Sequence, residues 1–256
     1  MNICVLGAHN CESQDSRFLC LLIDDILAVD AGALTSSLSF QAQQKLKAIL
    51  LTHQHYDHIR DVPAIAINRF FQKATINIYS TRTVYNALAI HLLNDELYPR
   101  FMESPKTNTP IKFTLVEPYK NYQIEGYTVL PVSVNHNNIT VGYQITSPEG
   151  KTLFYTADTG PGLDACWEHV SPELLIVDVT FPNNRQDFAI KAGHLTPALL
   201  SKELTSFRKL KGYLPTVVVV HMNPVLEKEI EAEITTVATE LNTSISLAHE
   251  GMELFL

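Results

Sequence analysis

Residues 49–58 read Ile-Leu-Leu-Thr-His-Gln-His-Tyr-Asp-His. Ile49, Leu50 and Leu51 form a short, continuous apolar run, the pattern of a buried strand. Side chains alternate on an extended backbone, so His53 and His55 point the same way. Asp57 and His58 fall where the chain turns into a helix, with Ile59, Val62, Ile65, Ala66 and Phe70 as its expected buried stripe. One pair of ligand-type side chains thus closes a strand and a second pair opens a helix. Such a cluster can serve two neighbouring metal ions, and imidazole with carboxylate suits zinc, manganese or iron.

Further ligand types follow other strand-like runs. Tyr127 to Val134 alternates apolar and polar residues and leads to Asn135-His136. Lys151 to Tyr155 leads into Thr156-Ala157-Asp158-Thr159-Gly160, and the valine-rich run Thr216 to Val220 ends at His221. Strand ends are where open α/β sheets gather functional groups. A lone histidine after a strand is more often a hydrogen-bonded structural residue, so His136 and His221 gain their weight from the first cluster.

The 256 residues, 46% of them hydrophobic, are enough for one large core, and we expect a single domain over 1–256. A formal charge of −8 argues against nucleic acid as the main partner, which normally meets a basic face. It leaves room for a small anionic substrate, because bound cations reverse the sign locally. Cys4, Cys11, Cys20 and Cys166 are scattered without a CxxC pair, as in a protein with reduced thiols. Cys11 is the one placed to approach the site through a loop. A strand from Ile3 to Leu6 with no basic-then-apolar leader predicts no signal peptide, and no apolar run is long enough to span a bilayer. A cytoplasmic protein without a membrane partner is expected.

Between these motifs, Ile76 to Tyr79 predicts a strand and Val84 to Leu93 a helix. Residues 99–110, with three prolines, are the one linker-like stretch, and a strand restarts at Ile111. Ligand types lie on both sides of it, so it is no domain boundary. Thr196-Pro197 signals a helix start, Thr196 as cap and Pro197 in the first turn, with Leu199, Leu200 and Leu204 buried. A last helix, near Pro224 to Leu241, is expected to bury Leu226, Ile230, Ile234, Val237 and Leu241.

The chain resembles the metallo-β-lactamase superfamily, whose His-x-His-x-Asp-His signature stands here as His53, His55, Asp57 and His58, with the later motifs at His136, Asp158 and His221. The resemblance implies an α/β fold, a four-layer αβ/βα sandwich with two divalent metal ions at one edge between two sheets. It assigns His53, His55 and His136 to one ion, Asp57, His58 and His221 to the other, and makes Asp158 the bridge. Within the superfamily the chain looks most like the class II cyclic-nucleotide phosphodiesterases. Four stretches carry that likeness: Ser16 to Gly32 ending in Asp-Ala-Gly, Asn94 to Phe101, the Gly-His-Leu-Thr-Pro block starting at Gly193, and His-Met-Asn-Pro at 221–224. The chain departs from the class II pattern at Tyr56, at Arg60-Asp61 and at Thr140-Val141.

Two divalent ions held by two aspartates leave a centre of about +2, suited to a phosphodiester. The resemblance implies a hydrolase that cleaves a small phosphodiester, a 3′,5′-cyclic nucleotide, by attack of metal-bound hydroxide, with zinc expected and manganese or iron as alternatives. Asp57, itself a ligand candidate, is expected to orient that hydroxide or accept its proton, and His194, before a helix start, to donate a proton or hydrogen bond to the leaving oxygen or the phosphate. His9, His91, His169 and His249 match no ligand motif and read as structural or exposed, and Arg69, Arg82 and Arg100 as surface residues or helix supports. A homodimer is compatible with this reading. Two other functions fit the same ligands: a ribonuclease Z-like RNA-processing nuclease, and a non-hydrolytic di-iron oxygen-binding or sensory protein. Thioester or lactam hydrolysis fits the His194 block less well.

Overall fold

The computed structural model describes residues 1–103 and 109–256. Residues 104–108, inside the proline-bearing stretch, lie outside the described residues. The first half of the chain builds strands β1 (Asn2–Gly7), β2 (Cys20–Ile23), β3 (Leu27–Val29), β4 (Ala48–Leu50), β5 (Ile76–Ser80) and β6 (Ile111–Leu115). The second half adds β7 (Tyr122–Ile124), β8 (Tyr127–Ser133), β9 (Val141–Thr146), β10 (Thr152–Tyr155), β11 (Leu174–Asp178), β12 (Thr216–Val220) and β13 (Ile245–Leu247). The last strand, β14 (Met252–Phe255), returns to β1. Two seven-stranded sheets result, ordered β14-β1-β2-β3-β4-β5-β6 and β13-β12-β11-β10-β9-β8-β7.

Nine helices are described: α1 (Leu34–Ser37), α2 (Phe40–Lys45), α3 (Tyr56–Ile59), α4 (Val62–Gln72), α5 (Arg82–Ala87), α6 (Asp164–His169), α7 (Gln186–Ala192), α8 (Pro197–Lys211) and α9 (Glu227–Leu241). The packing is four-layered. Leu21, Val29 and Leu50 of the first sheet meet Tyr143, Tyr155, Ile176 and Val218 of the second in one buried cluster. On the outer face of the first sheet, Ile49 and Ile78 pack under Leu34, Ile65 and Val84. On the outer face of the second, Leu175, Val217 and Val219 pack under Trp167, Leu204 and Ile234. The valines of β12 show the logic: Val218 and Val220 face the other sheet while Val217 and Val219 face helices, as a period of two requires of a strand covered on both sides.

Strand direction places the site. β3 to β6 are mutually parallel, as are β10 to β13. β8 runs with β10 because each is antiparallel to β9. The segments following β4, β8, β10, β11 and β12 therefore emerge along one edge of the sandwich.

The expected strands and helices are present, with two differences. The stripe Ile59 to Phe70 is not continuous. The chain breaks at Arg60-Asp61 and α4 restarts at Val62; Val62, Ile65 and Ala66 face inward as expected, but Arg69 does so as well and Phe70 is 54% exposed. Arg69 is buried instead, its guanidinium donating to the carbonyls of Gln43 at 2.7 Å and Leu46 at 2.6 Å. The predicted helix Val84 to Leu93 begins at Arg82 and widens into a π-turn over Leu88–Leu92. Thr196 caps α8 by accepting from the Leu199 N–H, and α9 buries Ile230, Ile234, Val237 and Leu241, with Leu226 at its N-cap. Among the described residues, no helix is long and apolar enough to cross a membrane.

One buried acid holds the second helical layer in place. Glu203 of α8 accepts from the N–H groups of Gly162 (2.7 Å) and Leu163 (3.1 Å) and from Trp167 Nε1 (3.3 Å), at the entry to α6. Replacing it by alanine strands three donors in a dry interface. Glu203→Ala should lower unfolding stability by about 2–3 kcal/mol, read from urea denaturation. An unchanged midpoint would show that the carboxylate contributes nothing.

Candidate metal centre

The segment after β4 leaves the sheet at Leu51 and carries His53 and His55 before α3 begins at Tyr56. Asp57 and His58 sit in α3, which has His55 as its N-cap. His136 follows β8, Asp158 follows β10 and His221 follows β12. The structure brings all seven together. Ligand atoms of His53, His55, His136 and Asp158 lie within 4.8 Å of one another, as do those of Asp57, His58 and His221. Asp158 stands between the groups. Its Oδ2 is 3.5 Å from His53 Nε2 and 4.0 Å from His136 Nε2, while its Oδ1 is 3.2 Å from His58 Nε2 and 3.4 Å from His221 Nε2. Asp57 Oδ2 reaches His221 Nε2 at 3.3 Å and His58 Nε2 at 3.5 Å.

The far side of each ring is already engaged. Thr52 Oγ1 lies 3.0 Å from His53 Nδ1. His58 Nδ1 donates to Asp30 at 2.7 Å, and His136 Nδ1 to the Gly193 carbonyl at 2.8 Å. His221 Nδ1 meets Thr180 Oγ1 at 2.9 Å. Hydrogen bonding at one nitrogen fixes the ring and leaves the other to ligate. His55 is reversed: Asn138 engages Nε2, so Nδ1 faces the cluster, 3.4 Å from His136 Nε2. His53 Nε2, His58 Nε2 and Asp158 Oδ1 are buried with no hydrogen-bond partner among the described residues. Buried polar atoms are seldom left so. Three of them converging on one point, with nitrogen and carboxylate donors only, fit divalent metal ions.

The electrostatics agree. Burial, together with the neighbouring imidazoles, pushes His53 well below the ordinary histidine range, and burial lowers His55 and His136 too. Burial also opposes charge on His58 and His221, but carboxylates outweigh it. Asp158, Asp30 and Asp57 hold His58 well above its ordinary value, and Asp158, Asp178 and Asp57 raise His221 to about 10. Burial alone would raise Asp158, yet His221, His58 and His53 keep it well below the carboxylate range. This centre therefore draws positive charge, whether as protons or as metal ions, and the two compete for the same nitrogens.

Several residues to which the sequence assigns no role of their own hold the site. Asp30 is fully buried in a left-handed conformation (φ 59°). It accepts from the Thr52 N–H and hydroxyl, His58 Nδ1 and, at 3.2 Å, the Tyr155 hydroxyl. Asp178, at the end of β11 and also fully buried, accepts from His194 Nδ1 at 2.8 Å, Thr180 Oγ1 at 2.6 Å and the Thr159 N–H at 3.1 Å. His194 itself packs against His136 and stacks on His221, ring centroids 5.3 and 5.2 Å away. Gly193 lets that turn close. Its φ is +78°, and a Cβ there would come within 2.7 Å of His136 Nδ1.

The sequence of residues 22–222 matches the family model of a beta-lactamase superfamily domain. The chain belongs to the beta-lactamase superfamily. Ribonuclease Z of Staphylococcus carnosus is 28% identical over 107 residues, 41% of this chain and 32% of that protein. The chain spans about a third of the length of the curated relatives it matches first. Yeast PDE1, in its unliganded crystal structure, superposes with a TM-score of 0.85 at 18% identity, covering 100% of this chain and 99% of that one. The short form of human tRNase Z gives 0.68 at 18% identity, covering 100% and 99%. At these identities the two structures share the superfamily fold.

The departures from the class II pattern do not all face the metal centre. Arg60 pairs with Glu12 and with Asp61 (3.0 Å) and lies over the Phe18 ring, while Asp61 accepts from the Thr35 N–H. They staple the loop after β1 to α1 and α3. Thr140 and Val141 are buried at the start of β9, Val141 donating to the Thr52 carbonyl. Tyr56 alone of these is exposed, at 60%. Of the remaining histidines, His9 is structural, buried and 2.8 Å from Glu250. Cys11 is exposed, 4.0 Å from Asn223 in the turn after His221.

Proposed function

We propose that this chain is a metal-dependent phosphodiesterase that hydrolyses a small phosphodiester, a 3′,5′-cyclic nucleotide. In this reading His53, His55 and His136 hold one divalent ion, Asp57, His58 and His221 hold a second, and Asp158 serves both; zinc suits the nitrogen-rich set, as manganese or iron also would. The chain acts as one domain, since residues from both sheets build one centre. Four unpaired cysteines support a cytoplasmic setting.

The observation that carries the reading is His194. Its Nδ1 is tied to the buried carboxylate of Asp178 while its ring stands against His136 and His221. A histidine so oriented presents Nε2 to the edge of the centre, where a leaving oxygen needs a proton. Bound ions supply Lewis acidity toward phosphoryl oxygens and acidify water. His194 Nε2–H protonates the departing alkoxide, and Asp178 orients the ring and offsets the charge of its protonated form. Asp57, 22% exposed at its side chain and directed at His221, accepts a hydrogen bond or proton from the attacking water. The sequence blocks shared with class II phosphodiesterases and the full-length likeness to yeast PDE1 support the cyclic nucleotide.

A ribonuclease Z-like activity is the second reading, supported by the match to that enzyme over 41% of the chain. The charge of −8 favours the smaller substrate. The test is a metal-defined assay with zinc, manganese or iron on bis-p-nitrophenyl phosphate, cyclic AMP and a precursor tRNA. Cleavage of both the artificial diester and cyclic AMP, lost in Asp57→Ala, establishes the proposal. Cleavage of the tRNA without cyclic AMP moves the assignment to the nuclease. No cleavage in an iron-filled protein with a visible absorption band moves it to oxygen binding or sensing.

A further inference from the structure

His53, His55, His58, His136 and His221 each turn one ring nitrogen away from the metal centre. Four of those outer nitrogens meet a group that accepts. The Asp30 carboxylate accepts from His58 and the Gly193 carbonyl from His136. Thr52 Oγ1 and Thr180 Oγ1 donate their own protons to buried carboxylates, Asp30 at 2.9 Å and Asp178 at 2.6 Å, so each accepts from the ring behind it, His53 or His221. An acceptor at the outer nitrogen holds the ring proton there and leaves the inner nitrogen a lone pair for metal. His55 is the exception. Its outer nitrogen, Nε2, meets the side-chain amide of Asn138, which has a donor end and an acceptor end. His55 is also the one ring among them whose outer partner comes from the other half of the sandwich. Asn138 lies between β8 and β9, just beyond the ligand candidate His136.

The two ends of that amide have opposite consequences. As placed, Nδ2 stands against Nε2. A donor there puts the ring proton on Nδ1, the nitrogen that faces His136 Nε2 at 3.4 Å. Ligation through Nδ1 requires the reverse, the proton on Nε2 and an acceptor beside it. A half-turn of the amide supplies that acceptor, with Oδ1 taking the place of Nδ2. No other bond of the amide opposes the turn: among the described residues Oδ1 has no hydrogen-bond partner and Nδ2 has only His55. The backbone beneath it is held. Thr140 Oγ1 donates to the Asn138 carbonyl at 3.2 Å, Asn137 Nδ2 to the Lys191 carbonyl at 3.2 Å, and the Asn135 carbonyl accepts from the Gly160 N–H at 2.6 Å. Thr140, one of the departures from the class II pattern, thus supports the turn that aims Asn138. We infer that Asn138 is a positioning residue for metal: its amide turns Oδ1 to His55 Nε2–H, selects the ring form that ligates through Nδ1, and so sets the affinity of the ion shared by His53, His55 and His136. The inference rests on the ligand assignment of the proposed function and on no part of its substrate.

Zinc titration of wild type, Asn138→Ala and Asn138→Asp against a chromophoric chelator tests this, with circular dichroism to confirm folding. Asn138→Ala should weaken one bound ion about 10–100-fold and change the other far less. Asn138→Asp, which keeps the shape of asparagine and only accepts, should hold zinc at least as tightly as wild type. An aspartate variant as weak as the alanine one would mean that the amide serves His55 by donating, and the inference would fall. The added charge of aspartate also attracts a cation, so the ring proton is read directly. In long-range proton–nitrogen correlation spectra of the zinc-loaded protein, with the His55 signals identified by their loss in His55→Gln, the proton should sit on Nε2. That signal should be present in wild type and Asn138→Asp and lost to exchange with water in Asn138→Ala. A proton on His55 Nδ1 would overturn the inference, as would wild-type zinc affinity in Asn138→Ala. Hydrolysis of bis-p-nitrophenyl phosphate separates the two proposals. Unchanged zinc affinity in an active Asn138→Ala removes Asn138 and leaves the phosphodiesterase reading, whereas Asn138-dependent zinc binding in a wild type that cleaves no diester does the reverse.

Discussion

Asp158→Ala is expected to strip the protein of most of its metal and to take diester hydrolysis down by well over 100-fold. The reason lies in its position. One carboxylate oxygen faces His58 and His221, the other faces His53 and His136, and the side chain is 2% exposed. Alanine removes the one anion that both histidine groups share and leaves buried nitrogens without a counter-charge. Substitutions one shell further out typically cost 10–100-fold in metal affinity or activity, so a residue serving both groups should exceed that. Metal analysis after dialysis, with circular dichroism to confirm folding, reads the result. Full metal content at the wild-type rate would remove Asp158 from the centre.

His194→Ala should behave in the opposite way, keeping the metal and losing the rate. A positioned general acid is worth roughly 10²–10⁴ in kcat. The size of the loss should depend on the leaving group. A ribose alkoxide needs its proton, whereas p-nitrophenolate leaves without one, so cyclic AMP hydrolysis should suffer far more than hydrolysis of the aryl diester. Equal losses on both substrates would make His194 a binding residue instead of an acid. Asp178→Asn should fall between wild type and His194→Ala, about 10–100-fold down, because the amide still holds the ring in place but no longer offsets its charge. Thr180 carries part of the effect, since its hydroxyl joins Asp178 to His221.

Much of this centre was legible because one rule was repeated: an apolar run, then a polar ligand type. It located His53, His136, Asp158 and His221, each directly after a strand. The same rule applied to Leu174–Asp178 would have found Asp178, whose run is as apolar as the others. It escaped because an aspartate ending a strand looks like turn chemistry until His194, sixteen residues on, is seen to fold back onto it. Asp30 was visible as part of a shared block, but its four donors come from Thr52, His58 and Tyr155, contacts too distant in sequence for periodicity to report. Ile59, Val62, Ile65 and Ala66 are buried as the stripe requires, and its last position alone differs: Arg69 takes the inward place in the last turn of α4, where its guanidinium reaches the carbonyls of Gln43 and Leu46, and Phe70 is left outside.

The centre also joins the two halves of the molecule. His53, His55, Asp57 and His58 ride on the first sheet and α3, His136, Asp158 and His221 on the second, and between His58 and His136 the chain takes the long path through β5, β6 and β7. Metal bound between them would act as a rivet through the sandwich, present in the native state and missing from the unfolded one. Every ion that prefers the folded protein adds about 2.7 kcal/mol when its free concentration is a hundred times its dissociation constant. Melting temperature then becomes a meter of metal supply. A cell short of metal would hold not merely an idle enzyme but a looser one, more readily opened and cleared by proteases, so that the amount of this protein would follow the metal that serves it.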